Sequence, residues 1–196
     1  METDLNKLRD RAYSIAKAHG FHEKDQSDET YLMLIITEIA EAVNADRKGH
    51  HAKLEKFDEW QKSWEKEIKE QPYSDNYTKS NFKDHFDFYI EGSVECELAD
   101  VAIRLLDLSG LINVDLSNNR PSIFHYVVSE KKSLCENCYN IVMNITNYRG
   151  SIFGMLNDVI RQVIELAKFY SIDLFKFIDL KMRYNELRPY RNGKRY

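Results

Sequence analysis

Two stretches decide the fold class of this chain: YLMLIITEIAEAV at residues 31–43 and VECELADVAIRLLDL at residues 94–108. In both, apolar residues recur at the three- and four-residue spacing of a buried helix, not in the alternation of a strand. The rest of the chain has the same character, since only 7 Gly and 3 Pro occur in 196 residues and 43% are hydrophobic. The sequence therefore predicts an all-α fold.

The composition also limits the number of domains and the class of partner. No long Gly, Pro or Ser tract divides the chain, so we predict a single domain over residues 1–196. The net charge of -4 argues against stable binding to nucleic acid. The opening METDLNKLRD contains no apolar signal core, and no apolar run reaches the roughly 20 residues of a membrane span. We therefore expect a cytoplasmic protein with no membrane partner.

Periodicity and capping residues predict seven helices, near residues 3–19, 28–48, 52–70, 92–111, 130–148, 152–170 and 172–187. Gly20 and Gly49 are predicted to end the first two. The segment from Gln71 to Gly92 carries Pro72 and, between Tyr73 and Phe88, five aromatic residues among polar ones. It is predicted to be an ordered excursion on the outside of the core, not a bundle helix.

Cysteines and tryptophans are interpreted as structural residues. The CENC spacing at residues 135–138 has no second cysteine pair to complete a zinc site, so reduced, partly buried thiols are expected. Trp60 and Trp64 lie four apart on a charged helix and could stack a base, but aromatic pairs at this spacing usually pack protein. The six histidines show no paired ligand spacing, and none is assigned to a metal.

Each of the two opening stretches carries an acid pair in apolar surroundings. Glu38 and Glu41 lie three residues apart on one helix face, and Glu97 and Asp100 repeat the arrangement. If both helices are largely buried, four carboxylates face one cleft, where they repel each other and lose hydration. A hard cation resolves this conflict, so the acids are candidate ligands for Mg²⁺, with Mn²⁺ as an alternative. The competing interpretation is two solvated faces of ordinary amphipathic helices.

The C-terminal stretch KMRYNELRPYRNGKRY (181–196) is strongly basic in an acidic protein. Lys181, Asn185 and Arg188 follow one another at helical spacing before Pro189 ends the helix. Lysine and arginine bind phosphate oxygens, so a metal cleft beside this stretch would suit a triphosphate. A solvated basic helix end, favoured by the helix dipole, is the alternative.

The order of these motifs resembles that of the all-α nucleotide pyrophosphohydrolases of the MazG type, which carry ExxE on one helix and ExxD on the next. The matching blocks are HGF (19–21), EIAE (38–41), EAVNADRKG (41–49), ELAD (97–100), VAIRLLDLSG (101–110) and KMRYNELRPYRNGK (181–194). The resemblance implies a MazG-like helical bundle, with insertions near residues 50–91 and 117–171. It also implies Mg²⁺-dependent hydrolysis of a nucleoside triphosphate to a monophosphate and pyrophosphate.

The resemblance further implies a role for individual residues. The Mg²⁺ ligands would be Glu38, Glu41, Glu97 and Asp100. The residues holding phosphate or sugar would be Lys181, Asn185, Arg188 and Lys194. A carboxylate beside the cation can act as the base that orients the attacking water. Glu41 is our choice among the four acids, although their spacing does not rank them.

An internal repeat is also predicted. LADVAIRLLDLSGLINVDL (98–116) matches LNDVIRQVIELAKFYSIDL (156–174) at an offset of 156 minus 98, or 58 residues. The second copy lacks three of the four acids, since Tyr139, Val142 and Met155 fall where Glu38, Glu41 and Glu97 stand, whereas Asp100 recurs as Asp158. Relatives commonly build their bundle from two subunits, so a degenerate hairpin could supply the partner helices within one chain. The expected assembly is a homo-oligomer such as a dimer of pseudo-dimers; chance similarity between amphipathic helices is the alternative.

Two further function classes compete with the enzyme. The chain could be a non-catalytic helical module that keeps the fold and uses its charged faces for oligomerisation or partner binding. It could also be a helical nucleic-acid-binding protein, although the acidic balance opposes this. Acids at all four motif positions, together with the basic end, favour the enzyme.

Overall fold

The computed structural model describes residues 4–117 and 128–193, and this part of the chain is helical without strands, which confirms the all-α prediction. The α-helices are α1 (Leu5–Ala18), α2 (Asp28–Arg47), α3 (Leu54–Glu70), α4 (Asp75–Tyr89), α5 (Val94–Leu111), α6 (Leu134–Thr146), α7 (Ile152–Phe169) and α8 (Leu174–Glu186). A short 3-10 helix, η1, follows at Tyr190–Gly193. None of the described helices is apolar and long enough to cross a membrane.

Helix α5 lies at the centre of the bundle. It packs against α1, α2, α7 and α8, and three of its leucines, Leu98, Leu105 and Leu108, are at most 1% exposed. Helix α6 packs against both α2 and α7, so α2, α5, α7 and α6 form a closed ring of neighbours. The second predicted hairpin therefore packs against the two helices that carry the acid pairs.

Serine side chains fix where many of the helices begin. Those preceding α2, α4, α5, α6 and α7 accept a hydrogen bond from a backbone N–H of the first turn, a contact that satisfies an otherwise unpaired donor. Gly20 and Gly49 follow α1 and α2 with φ of 78° and 63°, as expected of glycines that end helices.

The prediction that residues 71–92 form no bundle helix was wrong, because α4 occupies most of this segment. Ser74 caps the helix, and Phe82 and Phe86, four residues apart, form its buried face. Phe82 meets the ring of Phe57 on α3, and Phe86 stacks on Tyr184 of α8 with ring centroids 4.5 Å apart. The apolar stripe is made of two phenylalanines in a polar sequence, which is too sparse to register as periodicity.

The tryptophans and cysteines have the structural roles that were predicted. Trp64 is buried against Tyr73, and Trp60 is half-buried with its ring stacked on His85 at 4.0 Å. The three cysteines are free; Cys96 and Cys138 are buried and Cys135 is exposed.

The predicted repeat extends to the ends of helices α5 and α7. Both helices have 18 residues, and each begins after a serine cap, Ser93 in one and Ser151 in the other. Each helix is followed by a residue in the left-handed conformation, Asn113 with φ of 55° and Ser171 with φ of 57°, and these two residues are 58 positions apart. The backbone hydrogen bonds correspond as well, running from 114 to 109 and from 172 to 167, each at 2.8 Å. Matched caps go beyond what apolar periodicity requires, and they support the repeat. That the second hairpin stands in for a partner subunit stays a prediction.

Candidate active site

All four predicted metal ligands line one cavity of about 140 Å³. The walls come from α1, α2, α5 and α8, which explains why residues so distant in sequence meet. Part of the wall is apolar, from Ala12, Ile15 and Ala16 of α1 and from Phe21 in the loop that follows. The cavity thus joins an acidic region to an apolar surface.

Three of the four acids form a tight cluster. One carboxylate oxygen from each of Glu38, Glu41 and Glu97 lies within 4.8 Å of the others. Glu38 and Glu97 are each 8% exposed, whereas Glu41 is exposed. Several carboxylate oxygens converging on one point are the donor set that a hard divalent cation prefers, so these residues fit Mg²⁺.

The electrostatics of the cluster point the same way. Burial raises the pKa of Glu97 to about 8, and the negative charge of Asp100 adds to the effect while Lys181 opposes it. Burial and the charge of Asp100 likewise raise the pKa of Glu38. Carboxylates crowded in this way favour a bound cation, because it stabilises their ionised forms.

Asp100 lines the same cavity but pairs with a lysine. Its Oδ2 lies 2.8 Å from Nζ of Lys181 on α8. The helical spacing of Glu97 and Asp100 predicted a shared face, and the structure places both on it. That Asp100 also binds the cation stays a prediction.

Lys181 is buried, with only 2% of its surface exposed. Its Nζ also lies 2.7 Å from Oε2 of Glu91, in the turn between α4 and α5. Burial opposes the ammonium form, but the charges of Asp100 and Glu91 outweigh it, and the pKa of Lys181 is raised. The residue predicted to bind phosphate therefore has its ammonium form stabilised by two neighbouring carboxylates.

The other predicted substrate ligands are only partly described. Asn185 and Arg188 line the cavity, and Arg188 Nη1 donates to Asn185 Oδ1 at 3.4 Å. Lys194 lies outside the described residues. The final described segment is attached beside the cavity, because Arg191 donates its backbone N–H to the carbonyl of His19 at 3.0 Å and its Nε to the carbonyl of Gly20 at 3.2 Å.

Sequence reasoning missed several residues of this cavity. Arg104 on α5 donates to Glu38 Oε1 at 2.8 Å. One turn further, Asp107 Oδ1 lies 2.7 Å from His22 Nε2, and burial raises the pKa of Asp107. Their spacing places both on the helix face of Glu97 and Asp100, but a charged stripe of this kind is also typical of a solvated face, so the sequence assigned them no role. Glu91 lies in a turn and gave no periodic signal.

Comparison of the chain with protein-family models, with curated proteins and with solved structures gave no match. The resemblance to the MazG-type pyrophosphohydrolases thus rests on the motifs and their order.

Proposed function

We propose that the chain is a divalent-cation-dependent nucleoside triphosphate pyrophosphohydrolase, which converts a ribo- or deoxyribonucleoside triphosphate and water to the monophosphate and pyrophosphate. One observation carries the proposal: the cluster of Glu38, Glu41 and Glu97 shares a cavity with Lys181, Asn185 and Arg188. Carboxylates alone would repel a triphosphate. Carboxylates that hold a cation, together with neighbouring basic and amide side chains, would bind a triphosphate.

In this proposal the acids of α2 and α5 hold the cation, with Glu38, Glu41 and Glu97 as its ligands and Asp100 beside them. Mg²⁺, when bound, neutralises phosphate charge and lowers the pKa of a coordinated water. Glu41 is the exposed member of the cluster, so its second oxygen is free to accept a proton from the attacking water. Glu38 accepts a hydrogen bond from Arg104, which would hold it in one orientation as a cation ligand.

The remaining cavity residues bind the nucleotide. Arg188 and Asn185 would donate to phosphate or sugar oxygens, and Lys194 would join them by the resemblance. The apolar side chains of α1 would contact the base. In the reaction the water oxygen bonds to the α-phosphorus, the bond from that phosphorus to the bridging oxygen breaks, and pyrophosphate leaves with the electron pair.

The test is incubation of the purified chain with Mg²⁺ and a panel of ribo-, deoxyribo- and modified nucleoside triphosphates, with monophosphate and pyrophosphate quantified. We expect turnover of at least one substrate, and its loss in the Glu38→Gln and Asp100→Asn variants. Circular dichroism checks that helix content is unchanged. The matched control is Asp158→Asn, since Asp158 is the counterpart of Asp100 in the repeat and pairs with Arg161 on α7; it should retain activity.

Two results would contradict the proposal at different levels. An active double variant lacking both Glu38 and Asp100 carboxylates would overturn the site assignment. No monophosphate from any substrate would overturn the activity and favour a non-catalytic helical module.

A further inference from the structure

The ammonium group of Lys181 has its three N–H donors matched by three acceptors. These are Glu91 Oε2 at 2.7 Å, Asp100 Oδ2 at 2.8 Å and Cys96 Sγ at 3.5 Å. The rings of Phe86 and Tyr184 lie 5.8 Å and 5.5 Å from the same Nζ. An ammonium group has no further proton to donate, so any new acceptor must replace one of the present partners.

The three acceptors differ in how readily they can be replaced. Cys96 is fully buried in the first turn of α5, so its sulfur cannot leave the contact. Asp100 is fixed in the middle of α5, with a side chain that is 16% exposed. Glu91 lies in a turn, beside Gly92 with φ of 72°, and its side chain is 31% exposed and lines the cavity. Its Oε2 also accepts a hydrogen bond from Cys96 Sγ at 3.5 Å, which is weak because a thiol is a poor donor. Glu91 is thus the partner that can move into solvent.

A phosphate oxygen and a carboxylate oxygen make the same kind of charge-assisted hydrogen bond to an ammonium group. Resting on the proposed function, we propose that Glu91 is an internal competitor of substrate phosphate: it holds Lys181 in the empty site and gives way when a phosphate oxygen takes its place. Glu91 then sets how tightly the phosphate chain binds. It touches neither the acid cluster nor the reacting water, so it is a specificity-determining residue and takes no part in the chemical step.

This role distinguishes Glu91 from a merely structural salt-bridge partner. Loss of a structural partner would loosen Lys181 and weaken phosphate binding. Loss of a competitor frees Lys181 and strengthens phosphate binding. The direction of the change therefore decides between the two roles.

Removal of any negative charge from the cavity would also strengthen the binding of an anion, whichever carboxylate is removed. Asp107→Asn is the matched control, because Asp107 lines the same cavity and its carboxylate pairs with His22 instead of Lys181. A long-range charge effect should appear in both variants and fade as salt is raised. Competition at Lys181 should appear only when Glu91 is changed, and it should persist in salt.

The experiment measures binding of inorganic pyrophosphate by calorimetry in saturating Mg²⁺, for the unaltered chain, Glu91→Gln, Glu91→Ala and Asp107→Asn. We expect both Glu91 variants to bind pyrophosphate roughly threefold to tenfold more tightly, the range of one charge-assisted contact. The Asp107→Asn variant should change by about twofold or less. In turnover assays the Glu91 variants should lower KM and leave kcat within about twofold.

Unchanged or weaker binding in the Glu91 variants overturns the inference, and so does equal tightening in Asp107→Asn. Loss of native helix content in both Glu91 variants also overturns it, because Glu91 would then be structural. The proposed function fails separately: an unaltered chain that neither binds pyrophosphate nor hydrolyses any triphosphate would overturn the activity and this inference with it.

Discussion

Replacing Glu97 with glutamine should remove most of the pH dependence that the acid cluster gives to stability. The pKa of Glu97 rises from an ordinary 4.5 to about 8 because the carboxyl is buried beside Asp100. Below about pH 4.5 the group is protonated in the folded and the unfolded chain, and its contribution is constant. Between about pH 4.5 and 8 the folded chain keeps the proton that the unfolded chain loses, so the free energy of unfolding falls as pH rises.

The size of this loss follows from the same values. At roughly 1.4 kcal/mol for each pH unit, the full difference is at most about 5 kcal/mol. Because the cavity is open to solvent, which screens these charges, we expect about 2 to 4 kcal/mol. Glutamine keeps the shape of the side chain and cannot ionise, so the Glu97→Gln variant should lack this loss.

The assay is urea unfolding of both proteins in a chelator at pH 5, 6.5 and 8.5. The unaltered chain should lose stability relative to Glu97→Gln as pH rises. Addition of Mg²⁺ at pH 8.5 should then stabilise the unaltered chain and leave the variant almost unchanged. Parallel pH profiles for the two proteins would refute the reasoning, since they would mean that Glu97 titrates as an ordinary exposed acid.

Three further outcomes are expected. Lys181→Met should lower the free energy of unfolding by about 2 to 4 kcal/mol, because it leaves the Asp100 carboxylate, which is only 16% exposed, without its cation. Lys176→Met, in a partly exposed pair with Asp58, should cost at most about 1 kcal/mol. Equal losses in urea unfolding would contradict this. Gly20→Ala should destabilise the folded chain more than Gly49→Ala. Both glycines have positive φ, but only at Gly20 would a Cβ meet the Tyr190 ring. A lower thermal unfolding temperature for Gly49→Ala than for Gly20→Ala would contradict this. Binding of Mg²⁺ at pH 7 should release about one proton, from Glu97, because the cation requires the ionised carboxylate. Calorimetry in buffers of different protonation enthalpy measures this release, which should vanish above pH 9, where Glu97 is already ionised.

Helical periodicity was sufficient to predict the fold class and the shared face of the acid pairs. Residues three or four apart must lie on one side of a helix, so Glu38 and Glu41 could be placed together before the structure was known. The same rule identified Asn185 and Arg188 as neighbours. These features depend only on local geometry.

Features that depend on tertiary packing escaped prediction. Helix α4 buries two phenylalanines whose partners, Phe57 and Tyr184, lie far apart in sequence. Glu91 reaches Lys181 only because α4 packs against α8, and a turn residue carries no periodic signal. Side-chain pairing of this kind is decided by the packing of whole helices, which no local pattern encodes.

One measurement tests the proposed metal-dependent cleavage site most directly: anomalous diffraction from crystals grown at pH 8 with Mn²⁺ and a nucleoside triphosphate whose α–β bridge cannot be hydrolysed. We predict a Mn²⁺ peak about 2.0 to 2.5 Å from oxygens of Glu38, Glu41 and Glu97, with phosphate oxygens of the nucleotide on its open side. A nucleotide bound without a metal peak between these three carboxylates, or a metal bound elsewhere, would contradict the proposal.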